Sequence, residues 1–151
     1  MRYRDIGNVH KDFHLATDTT IRYVLETYGT DFLSELFART AQRVYRDIYD
    51  SLVAGVFEPF LEHLTYYYRR EGGVFDVTRV DGGFDFSVSQ CPAVRHVIER
   101  TGKVEDNFFL QFELLAKGFA EDTPFEIEFQ RVDDFGYRYS LRQIAERLAR
   151  F

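Results

Sequence analysis

Chemistry in this chain is concentrated in one cysteine and four histidines. Cys91 follows a strand-like alternation and precedes Pro92, the residue type best suited to the first position of a helix, so it is expected at or next to a helix N-cap. Unpaired N–H groups and a partial positive charge at that end favour a thiolate, lowering a thiol pKa from about 8.5 toward neutrality. Arg95, four residues on, shares the face and adds positive charge. The pattern fits a nucleophile, and it also fits a small apolar residue closing a strand.

The string His10-Lys11-Asp12-Phe13-His14 is the second constellation. Helical spacing puts both imidazoles on one side, about 5–6 Å apart at Cβ, near enough to share a metal or a substrate. Both lie on the apolar stripe, where each ring needs a partner, and two core histidines bonded to backbone or tyrosine hydroxyls are the alternative. The glutamate that a zinc-protease H-E-x-x-H motif requires is missing, so a protease is not indicated. In the segment after Cys91 the apolar positions Val94, Val97, Ile98 and Thr101 send His96 to the opposite side. His63 sits at a boundary beside Leu64. Of Tyr66, Tyr67 and Tyr68 at most two can face a pocket; Tyr67 and Phe13 are the candidate lining residues. Neither a phosphate-binding glycine loop nor a G-x-S-x-G elbow occurs.

These residues must be held by helices first and strands later. Positions His10, His14, Thr17, Ile21, Val24 and Tyr28 predict a helix over 9–28, ended by Gly29. Leu33, Phe37, Thr40, Val44, Ile48 and Leu52 predict a second over about 31–52, and a third runs from Pro59 to Gly72-Gly73. The period then changes to two. Residues 74–80 and 84–88 flank Asp81-Gly82-Gly83 as one hairpin, and residues 125–130 and 137–141 flank Asp133-Asp134-Phe135-Gly136 as another. Helical stretches over 92–100 and 106–120 separate them. The expected fold is α+β, a single domain over 1–151 with a helical amino-terminal half packed on a four-stranded antiparallel sheet.

Composition narrows the function. With 25 acidic against 19 basic residues the net charge of −6 disfavours nucleic acid as a partner. The amino-terminal residues lack the apolar run of a secretory signal, and no stretch approaches the roughly 20 apolar residues of a membrane span, so a cytoplasmic protein is expected. A single cysteine excludes an internal disulfide and a multi-thiolate zinc site. The 16 Phe and 10 Tyr can fill a core or line a small-molecule pocket. An apolar tail ending in Phe151 offers a surface for another copy of the chain.

The strings His10-Lys11-Asp12-Phe13-His14, Tyr28-Gly29, Tyr68-Arg69-Arg70-Glu71-Gly72-Gly73 and Cys91-Pro92-Ala93-Val94-Arg95-His96 resemble the L-2-amino-thiazoline-4-carboxylic acid hydrolase family. A looser likeness is to small-molecule-binding domains of the 4-vinyl reductase type. The first resemblance implies hydrolytic opening of a small cyclic amidine bearing a carboxylate, and it adds weight to His10, His14, Cys91 and His96. Family members carry further cysteines near the final strands, and residues 125–141 have none. The expected site is a Cys91 nucleophile with His14 or His10 as acid–base, Asp12 or a backbone carbonyl holding the tautomer, and Arg95 with the helix amino terminus receiving a carboxylate or developing anion. It needs no cofactor. A non-catalytic binding module and a mononuclear metal held by His10, His14 and Cys91 are the alternatives.

Overall fold

The computed structural model describes residues 11–148. Helices α1 (Phe13–Tyr28), α2 (Thr30–Arg39), α3 (Arg46–Val53) and α4 (Glu58–Arg70) precede a hairpin of β1 (Val74–Val80) and β2 (Gly83–Gln90). Then come α5 (Pro92–Thr101), a 3-10 turn (Asp106–Phe109) and α6 (Leu110–Ala120), a second hairpin of β3 (Phe125–Arg131) and β4 (Tyr137–Gln143), and α7 (Ala145–Leu148). The strand order is β1-β2-β4-β3 with every neighbour antiparallel, so the hairpins join through their second strands. This is the α+β architecture expected from the change of period. Among the described residues no helix is long and apolar enough to cross a membrane.

Alternation decides the two faces of the sheet. Phe84, Phe86 and Val88 of β2, Phe125 and Ile127 of β3, and Tyr137, Tyr139 and Leu141 of β4 are all buried. Register sets Phe86 opposite Tyr139 and Ile127 opposite Leu141, so the inward side chains pack across strands. Phe112 of α6 stacks on Tyr137 at 4.6 Å between centroids, and the Tyr139 hydroxyl donates to the Phe112 carbonyl at 2.9 Å. Much of the aromatic surplus is this contact between sheet and helices.

The outer face is polar and centres on Asp85, which accepts hydrogen bonds from Ser140 at 2.8 Å, Arg138 at 2.7 Å and Arg142 at 2.8 Å. Partial burial pushes the Asp85 carboxyl up, but these bonds and the Arg142 charge outweigh it and hold the pKa at about 2. The group titrates below its ordinary 3.8, so its contribution to stability is complete above that value and is lost as pH falls through about 2. Asp85→Asn should therefore cost about 1–2 kcal/mol at neutral pH. Urea midpoints measured across pH should show the gap to wild type closing in acid, and a gap independent of pH would contradict the assignment.

The second predicted helix is not continuous. Residues Thr40–Val44 form a π-helical turn, with the Tyr45 amide donating to the Thr40 carbonyl at 3.2 Å. The extra residue shifts the phase of the apolar stripe. Ala41 is buried in place of Val44, which is 68% exposed, and Ile48 and Leu52 return to the core. The interruption also lets α6 approach: a Cβ on Gly118 would stand 2.7 Å from Ala38 Cα and 3.0 Å from Ala41 Cβ, a contact only glycine permits. The first predicted stripe holds through His14, Ile21 and Val24 but not at its end, where Tyr28 is exposed and stacks on Phe32 at 4.8 Å. Phe151 lies outside the described residues.

Candidate functional site

Two turns bring the separated strings together. Gly72 ends α4 in the left-handed region at φ +74°, and a Cβ on Gly73 would meet Tyr68 Cδ1 at 2.9 Å and Pro92 Cδ at 3.0 Å. Without a side chain at Gly73 the end of α4 lies directly against the start of α5. On the other side, the Cys91 amide donates to the Phe135 carbonyl of the β3–β4 turn at 2.8 Å, and the Cys91 carbonyl accepts the Arg95 amide at 3.0 Å. Cys91 is the N-cap of α5 with Pro92 in the first turn, as its neighbours predict.

A pocket of about 440 Å³ opens between α1, α4, the start of α5 and α6. Phe13 and His14 reach it from α1, His63, Leu64, Tyr67 and Tyr68 from α4, and Phe112 with Gln111 from α6; Tyr45, Glu71 and Cys91 complete the polar positions of its wall. Its size suits a small organic molecule. Tyr66 points elsewhere, accepting a hydrogen bond from Arg70 at 2.8 Å.

His14 and Glu71 form the pocket's central polar contact. Nε2 and Oε2 are 2.8 Å apart, and the two side chains are 8% and 7% exposed. With Nε2–H donating to the carboxylate, Nδ1 is left as the basic nitrogen, and Glu71 stabilises the ring when it takes a second proton. Asp12 does not hold this tautomer. It is mostly exposed, 3.4 Å from His96 Nε2 and 3.9 Å from Arg100. His96 is correspondingly not on the far side of α5: its ring lies 6.2 Å from that of His14, and its Nε2 is buried with no hydrogen bond from the described residues, because α1 packs over that flank.

Cys91 shares the pocket with His14, but its electrostatics differ from the expectation. Burial pushes the thiol up to about 12, and the Glu71 charge acts in the same direction. The amides of Ala93 and Val94 and the charge of Arg95 pull the other way without prevailing. A helix N-terminus lowers a thiol pKa only where the anion keeps some solvation, and Cys91 is 1% exposed. The sulfur lies 3.9 Å from the Tyr68 hydroxyl. Arg95 does not line the pocket; its guanidinium is 3.5 Å from the Gly72 carbonyl and 4.0 Å from Glu99.

His63, read from its neighbours as a boundary residue, sits in the pocket wall between the rings of Tyr45 and Tyr67, at 5.0 and 4.9 Å. Burial lowers its pKa to about 4, so it is neutral at physiological pH. Burial, and then the neighbouring Tyr67, raise the Tyr45 pKa and keep that phenol protonated. Glu71 escaped sequence reasoning although it stands in a quoted string. Its partner is 57 positions away, and no periodicity links a helix-end carboxylate to a histidine in another helix. A charged residue directly before Gly72-Gly73 was the one local signal.

His10, the second histidine of the expected pair and a member of the alternative metal set, lies outside the described residues. Among the described residues there is no group of three or more His, Cys, Asp or Glu side chains arranged to hold a metal ion. Set against known protein families, curated proteins and solved structures, the chain matches none of them.

Proposed function

We propose that the protein is a small-molecule hydrolase acting at a C–N bond of an amidine or amide, with the His14–Glu71 pair as its acid–base group. One observation carries the reading. Three strings far apart in the chain, containing His14, Glu71 and Cys91, meet on the wall of one pocket of ligand size, with a buried carboxylate behind the imidazole. In this scheme His14 takes a proton from water as the oxygen bonds to the electrophilic carbon, Glu71 stabilises the imidazolium, and the proton passes to the departing nitrogen as the C–N bond breaks. Cys91 enters as a protonated thiol; for it to attack, His14 must remove its proton as the C–S bond forms. A cytoplasmic setting, where thiols stay reduced, is part of the same proposal.

A panel of cyclic amidines, amides and thio-compounds tests this with wild type, His14→Gln and Cys91→Ser. Wild type is expected to release ammonia or amine from at least one member, and His14→Gln to lose about 100-fold or more with its fold retained. Loss in Cys91→Ser as well identifies thiol attack; retention identifies water. The second reading, a binding module, is favoured by the neutral state of Cys91 and His63. Saturable binding of panel members with no product from any of them would replace the hydrolase by that module.

A further inference from the structure

The pocket carries a charge pattern that the proposed proton transfers do not explain. Five aromatic rings, Phe13, Tyr45, Tyr67, Tyr68 and Phe112, and one carboxylate, Glu71, line it, and among the described lining residues there is no lysine or arginine. The Glu71 side chain is 7% exposed, and the group it meets is an imidazole rather than a permanent cation. Aromatic faces are the negative pole of the ring quadrupole and attract cations, most strongly where water is excluded. The remaining polar walls do not reverse that sign: His63 is held neutral and the Tyr45 phenol stays protonated.

We infer that the pocket selects a small organic cation, an alkylated amine or quaternary ammonium, whose carbon-bearing nitrogen packs on the rings and faces Glu71. The inference rests on the reading of this pocket as a small-molecule site and deepens it by naming the ligand's charge. A carboxylate at the same depth would meet Glu71 with no fixed cation among the described lining residues to receive it. Arg95, which the sequence offered for that task, is occupied with the Gly72 carbonyl and Glu99 outside the pocket. The shape argument is independent of the charge argument: rings supply broad flat walls that fit methyl or methylene groups around a nitrogen, and Phe13 and Tyr67, half-exposed at the rim, leave room for a longer tail.

Choline and its uncharged tert-butyl analogue have nearly the same shape and differ in charge, so their affinities for wild-type protein, measured by titration calorimetry, isolate the charge. Choline is expected to bind about tenfold tighter or more. Glu71→Gln should bring the two within about twofold. Tyr67→Leu, at the half-exposed rim, should weaken choline more than the analogue, in protein whose urea unfolding shows the fold retained. Equal affinity for choline and the analogue in wild type would overturn the cation assignment and leave the small-molecule site standing; tighter binding of acetate than of choline would do the same. Failure of every probe to bind at millimolar concentration would overturn the site itself.

Discussion

Glu71→Ala is expected to destabilise the fold by about 2–3 kcal/mol and to abolish the acid–base function proposed for the pocket. The His14–Glu71 pair is more than nine-tenths buried, so truncation leaves an imidazole donor without an acceptor in a place water reaches poorly. The cost falls below that of stranding a permanent charge because an imidazole is not a permanent cation. Glu71→Gln separates structure from chemistry. An amide oxygen still accepts the Nε2–H hydrogen bond, so stability should stay within about 1 kcal/mol of wild type, while the imidazolium loses its counter-charge and turnover should fall about 100-fold. Urea unfolding together with turnover on any substrate found in the panel checks both. A Glu71→Ala protein as stable as wild type would show that the pair contributes nothing to the fold, and full turnover in Glu71→Gln would remove it from the mechanism.

Tyr137→Ala is expected to have the largest effect on stability, about 3–5 kcal/mol. Tyr137 is 1% exposed, and its ring lies 4.6 Å from Phe112, 5.2 Å from Tyr139, 5.4 Å from Phe129 and 6.3 Å from Tyr68. Removing it opens a cavity where the sheet meets α4 and α6, and neighbours pinned by β4 and by two helices cannot close it without breaking their own contacts. Phe112 and Tyr68 also line the pocket, so the same change should weaken ligand binding from behind the wall. The urea midpoint should drop by more than about 1 M. Phe135→Ala, in the exposed β3–β4 turn at 41% exposure, is the control and should move it little. A Tyr137→Ala loss under about 1 kcal/mol would mean that this aromatic cluster repacks and does not carry the core.

Most of the fold was legible because its signals are local. The alternation of Phe84, Phe86 and Val88, and of Tyr137, Tyr139 and Leu141, states which side of each strand is buried before any partner is known. Gly72-Gly73 and Asp133 to Gly136 mark reversals through backbone requirements of their own. The π-helical turn at Thr40–Val44 was not legible, because an inserted residue is tolerated or rejected by what packs against it, here α6 through Gly118. The assignment of Val44 to the core failed for that reason.

The candidate site divides along the same line. Sequence alone determined that Cys91 begins a helix, that Phe13 and His14 lie on one face of another or beside it, and that no more than two tyrosines of the 66–68 run face inward. Those are matters of residue type and spacing, which act over one or two turns. Tertiary structure decided that Glu71 and not Asp12 partners His14, that Arg95 turns away from the pocket, that His63 and His96 are enclosed, and that the Cys91 thiol is pushed up to about 12. Each of those outcomes depends on how much water a group keeps and which charge approaches it from a distant segment. Burial and long-range pairing are properties of the packed chain, and for Cys91 the desolvation imposed by packing outweighed the helix terminus that local sequence supplied.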